Sequence, residues 1–317
     1  MNVWYFAQWK AVMTPSEHVV VAVNLGRICG NVEAIARKCG VPVIAVVKAD
    51  AYGVGAVAVA RAIAHLVEGF YVLHAAEAVA AKLKETGKRT IAMLGPSEEA
   101  GDYLSAGIQP VVWSVDRANL LRKARPVLSV DTGQQRFACP ADVAEAVLAT
   151  GACGEAITHA ANLGQVEMFR QIVGGRENLF LHAAGSSLLD EPAARLSAVR
   201  PGLAMYRDSV RVSARLLEAK DANGPAGYSG FVVRRFGVIL AGYSHGLRRG
   251  PCLVNGRVTR LLEVGMQSSF VEIESGEKNG DEVVLLGDGL AVETIAGEWR
   301  TTPHEVLLRL AGSGRRI

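Results

Sequence analysis

Apolar positions fall in short bursts along the first two thirds of the chain, and the bursts alternate with stretches of helical period. HVVVAV (18–23) is a β-branched run that predicts a strand, and Gly26 to Cys39, closed by Gly40, predicts a helix. VPVIAVV (41–47) predicts a second strand, with a helix from Gly55 to His65. GFYVL (69–73) is a third, followed by Ala75 to Glu85 and a stop at Gly87. RTIAMLG (89–95) precedes a short helix, Glu98 to Ser105. QPVVW (109–113) precedes Arg117 to Lys123, and PVLSVD (126–131) precedes Ala141 to Leu148. EAITHA (155–160) precedes Gln165 to Val173, and NLFLHAAG (178–185) is the eighth run. Eight apolar strands, each with a helical follower, predict a (β/α)8 TIM-type barrel. A doubly wound α/β sheet gives similar local signals, so the count alone leaves both open.

The texture changes after about residue 207. SARLLEAK, GFVVRRFGVILAGY, CLVNGRVTRLLEVG, SFVEIE and DEVVLLG read as strands. Asn223-Gly224, Asn255-Gly256, Ser275-Gly276 and Asn279-Gly280 separate them, and Asn-Gly between apolar runs is a hairpin signal. The expected division is a barrel over 17–206 and a C-terminal, mainly β domain over 207–317. Residues 1–16 are expected to pack on the latter.

Composition narrows the function classes. The 317 residues suggest about two domains, and half of them are hydrophobic. Net charge is +3, with no block of five or six like charges and no basic cluster with interleaved aromatics, which gives nucleic-acid binding little support. Five scattered cysteines without a Cys-x-x-Cys fit reduced cytosolic thiols better than a disulfide framework or a metal site. The first ten residues lack the pattern of a signal peptide. No apolar run approaches the roughly 18 residues of a membrane span. The expectation is a cytoplasmic protein acting on a small molecule, with no nucleic acid, membrane or metal partner.

In a barrel of this kind the chemistry gathers at the C-terminal ends of the strands. The residues expected there are Lys48 and Tyr52 after the second strand, and Asp131 to Arg136 after the sixth. Thr158-His159 end the seventh, His182 to Ser187 the eighth, and Val199-Arg200-Pro201-Gly202 follow. Each has a plain reading. Lysine beyond a strand is usually just exposed. Arg200 could be a surface arginine beside a turn proline, His159 a satisfied interior histidine, Arg136 a helix-start arginine, and Gly185-Ser186-Ser187 an ordinary loop. Against this, a lysine in a water-poor mouth loses its proton readily and becomes a nucleophile toward carbonyls. Hydroxyls with backbone N–H groups can cradle a phosphate. Together these residues describe a site for an anionic cofactor and a carboxylate substrate.

The motifs VVKADAYGVG, VDTGQQRFA, THAANL, HAAGSSLL, VRPGLAMY and AGYSHGLRR follow one another in the order, and with the neighbours, of a known family. From about residue 20 onward the chain resembles the alanine racemase family, fold type III pyridoxal-phosphate enzymes. LLEVGMQSSFVEI and GDEVVLLG are similar to that family's C-terminal β domain. The resemblance implies a (β/α)8 barrel, a β domain, pyridoxal 5'-phosphate as cofactor and a head-to-tail homodimer with shared active sites. It implies Lys48 as cofactor attachment point and one catalytic base, with Tyr243 from the partner subunit as the other. Tyr52, Ser186, Gly202 and Leu203 would hold the phosphate. Arg200 would face the pyridine nitrogen with His159 as its neighbour. Arg136 would steer the substrate carboxylate, with Met266 in the substrate contact set. The implied reaction is racemisation of a small amino acid, foremost alanine.

Several positions depart from the family pattern. Ser129 stands where a lysine often braces the arginine, Gly185 for an asparagine, and His245 for the aspartate of GYADG. Val54 replaces a histidine, Gln267 and Ser268 replace Asp-Gln after Met266, and Gly312 falls about where a second tyrosine is expected. These departures bear on substrate choice more than on cofactor binding. Alternative readings are therefore a racemase for serine or a larger amino acid, a lyase, aldolase or decarboxylase using Lys48 alone, and a non-catalytic cofactor-binding homologue.

Overall fold

A computed structural model describes residues 16–95, 99–176 and 178–317. The expected packing of residues 1–15, and Glu98 at the start of the fourth helix, lie outside the described residues. The chain divides into two compact units at Asn24/Leu25 and at Arg207/Asp208.

Residues 25–207 form a parallel sheet of seven strands in sequential order: β2 (Ile44–Val46), β3 (Gly69–His74), β4 (Arg89–Leu94), β5 (Ile108–Val112), β6 (Val127–Ser129), β7 (Glu155–Ala160) and β8 (Phe180–Ala184). β1 (Ser16–Val23), the strand expected to open the barrel, is instead paired with β9 (Val210–Arg215) and β16 (Gly314–Arg316) of the other unit. Its alternating burial suits a sheet with unequal faces, whereas β2 is buried at every position, as expected of parallel strands covered on both sides. The barrel's eighth stave is the extended segment 197–201. It bridges β8 through His182 and Ala198, and β2 through Val43 and Val199. Ser197 N and Arg200 N donate to Leu181 O and Ala184 O, while Ile44 N and Val46 N donate to Val199 O and Pro201 O. Eight staves thus close the ring, with a different eighth member from the one the hydrophobic count supplies.

Helices cover this sheet with one apolar stripe each. In Leu25–Cys39 the buried positions are Ile28, Val32, Ile35 and Cys39, the spacing of a single helical face. Gly40, at φ +66°, ends it in the left-handed region.

The second unit is a nine-stranded sheet, in the order β10 (Glu218–Asp221), β11 (Arg235–Ile239), β14 (Ser269–Glu272), β13 (Arg257–Val264), β12 (Pro251–Val254), β15 (Glu282–Leu286), β9, β1, β16. Asn255 and Gly256 both have positive φ, 48° and 83°, in the two-residue turn that pairs Val254 with Arg257. Two helices that the strand pattern did not announce, Val292–Trp299 and Pro303–Ala311, follow β15. Among the described residues no helix is long and apolar enough to cross a membrane.

Candidate active site

The sheet edge β2–β3 ends abruptly at Lys48. Val47 N still donates to Tyr71 O at 3.0 Å, but Ala49, Asp50 and Ala51 then sit near φ 53–55°, ψ 45–51°, and Tyr52 follows at φ 59°. Four consecutive non-glycine residues form a left-handed turn, at roughly 1–2 kcal/mol each. Such strain persists where neighbours over-determine it. Ala51 N donates back to Val47 O, Gly53 N to Ala49 O and Gly55 N to Asp50 O. Asp50 Oδ1 accepts from Ala56 N at 2.7 Å, and Glu77 Oε1 accepts from Ala49 N at 2.7 Å. Ala51 is buried completely.

The turn delivers two side chains. Lys48 is half-buried. Burial pulls its ammonium below the ordinary lysine range, the Arg136 guanidinium pushes the same way, Glu77 opposes, and Arg200 adds to the lowering. Tyr52 is buried, and burial raises its phenol to about 12, so it stays a neutral donor. Its hydroxyl lies so close to Gly202 that a Cβ there would stand 2.1 Å from it. Ser186 Oγ accepts from Gly202 N at 3.0 Å and from Ala204 N at 3.1 Å. Tyr52, Ser186, Gly202 and the Leu203–Tyr206 turn therefore meet. Tyr206, against Tyr52 with ring centroids 5.1 Å apart, donates to Val46 O and was not anticipated.

Arg200 is held inside the ring. Its guanidinium donates to the carbonyl of Thr158 and lies over the Tyr71 ring at 5.3 Å, while its Nε is buried without a partner. His159, the expected neighbour, is exposed on β7. Deeper in the barrel Arg89 Nη1 meets Glu155 Oε2 at 2.5 Å, and His182 Nε2 lies 2.6 Å from Glu155 Oε1. Burial pushes the fully enclosed His182 down to about 4 despite that carboxylate. Arg89 already balances Glu155, and a second cation near Arg200 would be uncompensated. Burial opposes the charge on Glu155, but its hydrogen bond from His182 and the Arg89 cation hold it below the usual carboxylate range.

Arg136 is exposed on a loop whose base is closed by Asp131 N to Cys139 O and Cys139 N to Ser129 O. Asp131 Oδ1 gathers Gly133 N and Gln135 N inside the loop. Ser129 is buried at its foot. Gly185, between β8 and Ser186, has room: a Cβ would meet only Arg200 O, at 3.9 Å.

In the other unit Tyr243 begins a short turn, Tyr243–His245, and is 54% exposed; Met266 is 61% exposed. The two loops are joined through backbone: Tyr243 N donates to Gly265 O and Ser244 N to Met266 O. Gly242 is required by that approach, since a Cβ would stand 2.3 Å from Gly265 O. His245 is buried and accepts from Gly242 N through Nδ1 at 3.0 Å, so it caps the turn. Gly312 closes the helix Pro303–Ala311.

Sequence reasoning missed Glu77, Tyr71, Tyr206 and the Thr158 carbonyl. Glu77 had a weak signal, three residues after His74 at a helix start. A contact made by a backbone carbonyl has no residue signature.

Known proteins resemble this chain over nearly its whole length. The profile of the alanine racemase N-terminal domain matches residues 23–210, and that of the C-terminal domain matches 225–317. An alanine racemase of Thermobifida fusca is 30% identical, over 93% of this chain and 96% of its own length. One from Neisseria meningitidis is 28% identical over 92% and 96%. Among solved structures, an alanine racemase from a D-cycloserine-producing Streptomyces lavendulae is 25% identical, with TM-score 0.85 over 96% of this chain and 97% of its own. An alanine racemase from Bartonella henselae with covalently bound pyridoxal phosphate shares the fold at 21% identity, TM-score 0.84, over 95% and 99%. The chain belongs to the alanine racemase family.

Proposed function

We propose that this protein is a pyridoxal 5'-phosphate-dependent racemase acting on alanine or a small amino acid close to it. The observation that carries the reading is the convergence of a half-buried Lys48, whose ammonium is disfavoured by burial, with the Tyr52–Ser186–Gly202 cradle and an enclosed arginine whose Nε lacks an acceptor. The residues present fit the cofactor: a hydroxyl and backbone N–H groups suit a phosphate, and the free Nε of Arg200 suits a ring-nitrogen acceptor. When bound, the cofactor supplies an electron sink that stabilises negative charge at the substrate Cα.

The remaining work falls to the protein's own groups. Inverting a stereocentre needs a proton taken from one face and returned on the other, so two bases flank one carbon. Lys48 Nζ serves one face. For the other, the reading assigns the Tyr243 hydroxyl of the partner subunit in a homodimer. Its exposure in one chain supports that role, as does its seat on a loop fixed at Gly242. Arg136, exposed and positive near Lys48, draws the substrate carboxylate, and Met266 lines the approach beside Tyr243. His159 follows Thr158 on the same strand, is exposed, and is kept in this reading as the expected neighbour of Arg200.

The test is α-proton exchange in D2O across a panel of amino acids, with chiral analysis of the products and added cofactor. Exchange with inversion on alanine or serine is expected. Release of a fragment would replace the reading with a lyase, and neither exchange nor release would leave a binding protein.

A further inference from the structure

The end of the β2–β3 ladder leaves unusual donors. Because the chain turns left-handed after Lys48, the parallel pairing stops at Val46 and Tyr71, and Ala49 N and Leu73 N have no strand to bond. One side chain takes both. Glu77 Oε1 accepts from Ala49 N at 2.7 Å, and Oε2 accepts from Leu73 N at 2.9 Å and His74 N at 3.1 Å. Glu77 is the third residue of the helix Ala75–Ala80, and its bond to His74 N is an ordinary helix-start interaction. The bond to Ala49, 28 residues earlier, has no part in capping that helix.

We propose that Glu77 is a positioning residue for Lys48, stapling the left-handed turn to the end of β3 and holding a negative charge beside the lysine amine. This rests on the racemase reading of the Lys48 site. The charged groups that face the amine are Glu77 from the helix after β3, Arg136 from the loop after β6 and Arg200 from the eighth stave. Glu77 is thus the counterweight to two guanidiniums. Neutralising it makes the ammonium harder to keep, and freeing Ala49 N loosens the turn that aims it.

The test uses the full-length protein freed of cofactor by hydroxylamine. Lys48 acetylation by acetic anhydride is followed by peptide mass spectrometry against pH in wild type, Glu77→Gln and Glu77→Asp. Glutamine keeps one acceptor oxygen for the helix start but cannot serve Ala49 and Leu73 together and carries no charge. A fall in the Lys48 titration midpoint on the order of one pH unit is expected for Glu77→Gln. Glu77→Asp, which keeps the charge but not the reach, should recover most of the midpoint. In the reloaded enzyme, kcat should fall at least tenfold with KM little changed. An unshifted midpoint in a folded Glu77→Gln protein overturns the proposal. So does an equal shift in Glu77→Asp, which would show a loosened turn and no charge effect. The labelling is read without turnover, so a wild type that racemises nothing refutes the functional reading and leaves this result separately legible.

Discussion

The two loops that bear the proposed bases, Lys48 and Tyr243, are built in opposite ways. Lys48 stands at the head of a strained turn clamped from outside by Glu77 and from within by its own Asp50, with Ala51 and Tyr52 buried. Tyr243 stands on an unstrained turn fixed by backbone bonds to Gly265 and Met266, and its own side chain faces out. The first arrangement is complete within one chain. The second presents a rigid base with an open side, the form expected of a group that works on another subunit. Pre-organisation is achieved by polar side chains around the lysine and by close backbone packing around the tyrosine.

The largest expected effect breaks the lysine side. Lys48→Ala should abolish covalent cofactor retention after borohydride reduction and lower turnover by roughly 10³–10⁴-fold, the upper range for a positioned acid–base group. Mass spectrometry of the reduced protein and a chiral assay measure both. An adduct retained on another lysine would move the site.

The comparison sharpens when the halves are separated. Tyr243→Phe should be inactive in racemisation while keeping its cofactor. Mixed with Lys48→Ala under conditions of subunit exchange, it should recover about a quarter of the activity, because random two-fold dimers are half mixed and each mixed dimer holds one intact site. No recovery with exchange demonstrated would place both bases in one chain.

A third effect lies under the lysine side. His182 titrates near 4 in the folded protein against about 6.5 when unfolded. Between those values the unfolded chain binds the extra proton, so stability falls as pH drops from 6.5 to 4 and then levels, by about 3 kcal/mol in all. Glu155, lowered from 4.5, adds loss in the same direction below its unfolded value. Urea midpoints at pH 7 and pH 5 should differ, and His182→Gln should shrink the difference. A midpoint that rises toward pH 5 would mean that His182 is charged in the folded protein, and one independent of pH would mean that burial and the Glu155 carboxylate cancel.

Much of this was legible before any coordinates. Seven of eight predicted barrel strands took their places because β-branched bursts with glycine stops carry local information. The run 18–23 did not, since nothing in six apolar residues says which sheet they join. The true eighth stave contains Pro201 and pairs through only a few residues, so it has no strand pattern. The helix Pro303–Ala311 was missed, although Thr302-Pro303-His304-Glu305 carries a start signal with proline at the first position, and Glu305 N does donate to Thr302 Oγ1. In the proposed site, the residues assigned to chemistry were readable, while Glu77 and the Thr158 carbonyl, which bond to Ala49 N and Arg200, were not. Contacts to backbone depend on where the chain turns.

The smallest effects concern two glycines, one on each side. Gly242→Ala should cost about 1–3 kcal/mol, as an overpacked site does, because its Cβ would press on the carbonyls of Gly265 and Met266, neither a flexible side chain. Thermal unfolding measures it, and kcat should fall with the displaced Tyr243. Gly185→Asn, which installs the residue expected from the family resemblance, should leave stability nearly unchanged. Its φ is not in the left-handed region, and the added Cβ meets only Arg200 O at ordinary contact distance. What changes is volume beside the cradle. The open position predicts that the wild type turns over serine at a rate comparable with alanine, since rejecting one extra small group requires a filled pocket worth about 1–3 kcal/mol. Filling it should raise the alanine preference in kcat/KM by about tenfold, the low end of that range, without moving Tm. A wild type that already prefers alanine strongly, unchanged by Gly185→Asn, would show that another residue occupies the space and that the barrel side is as tightly packed here as the backbone around Gly242.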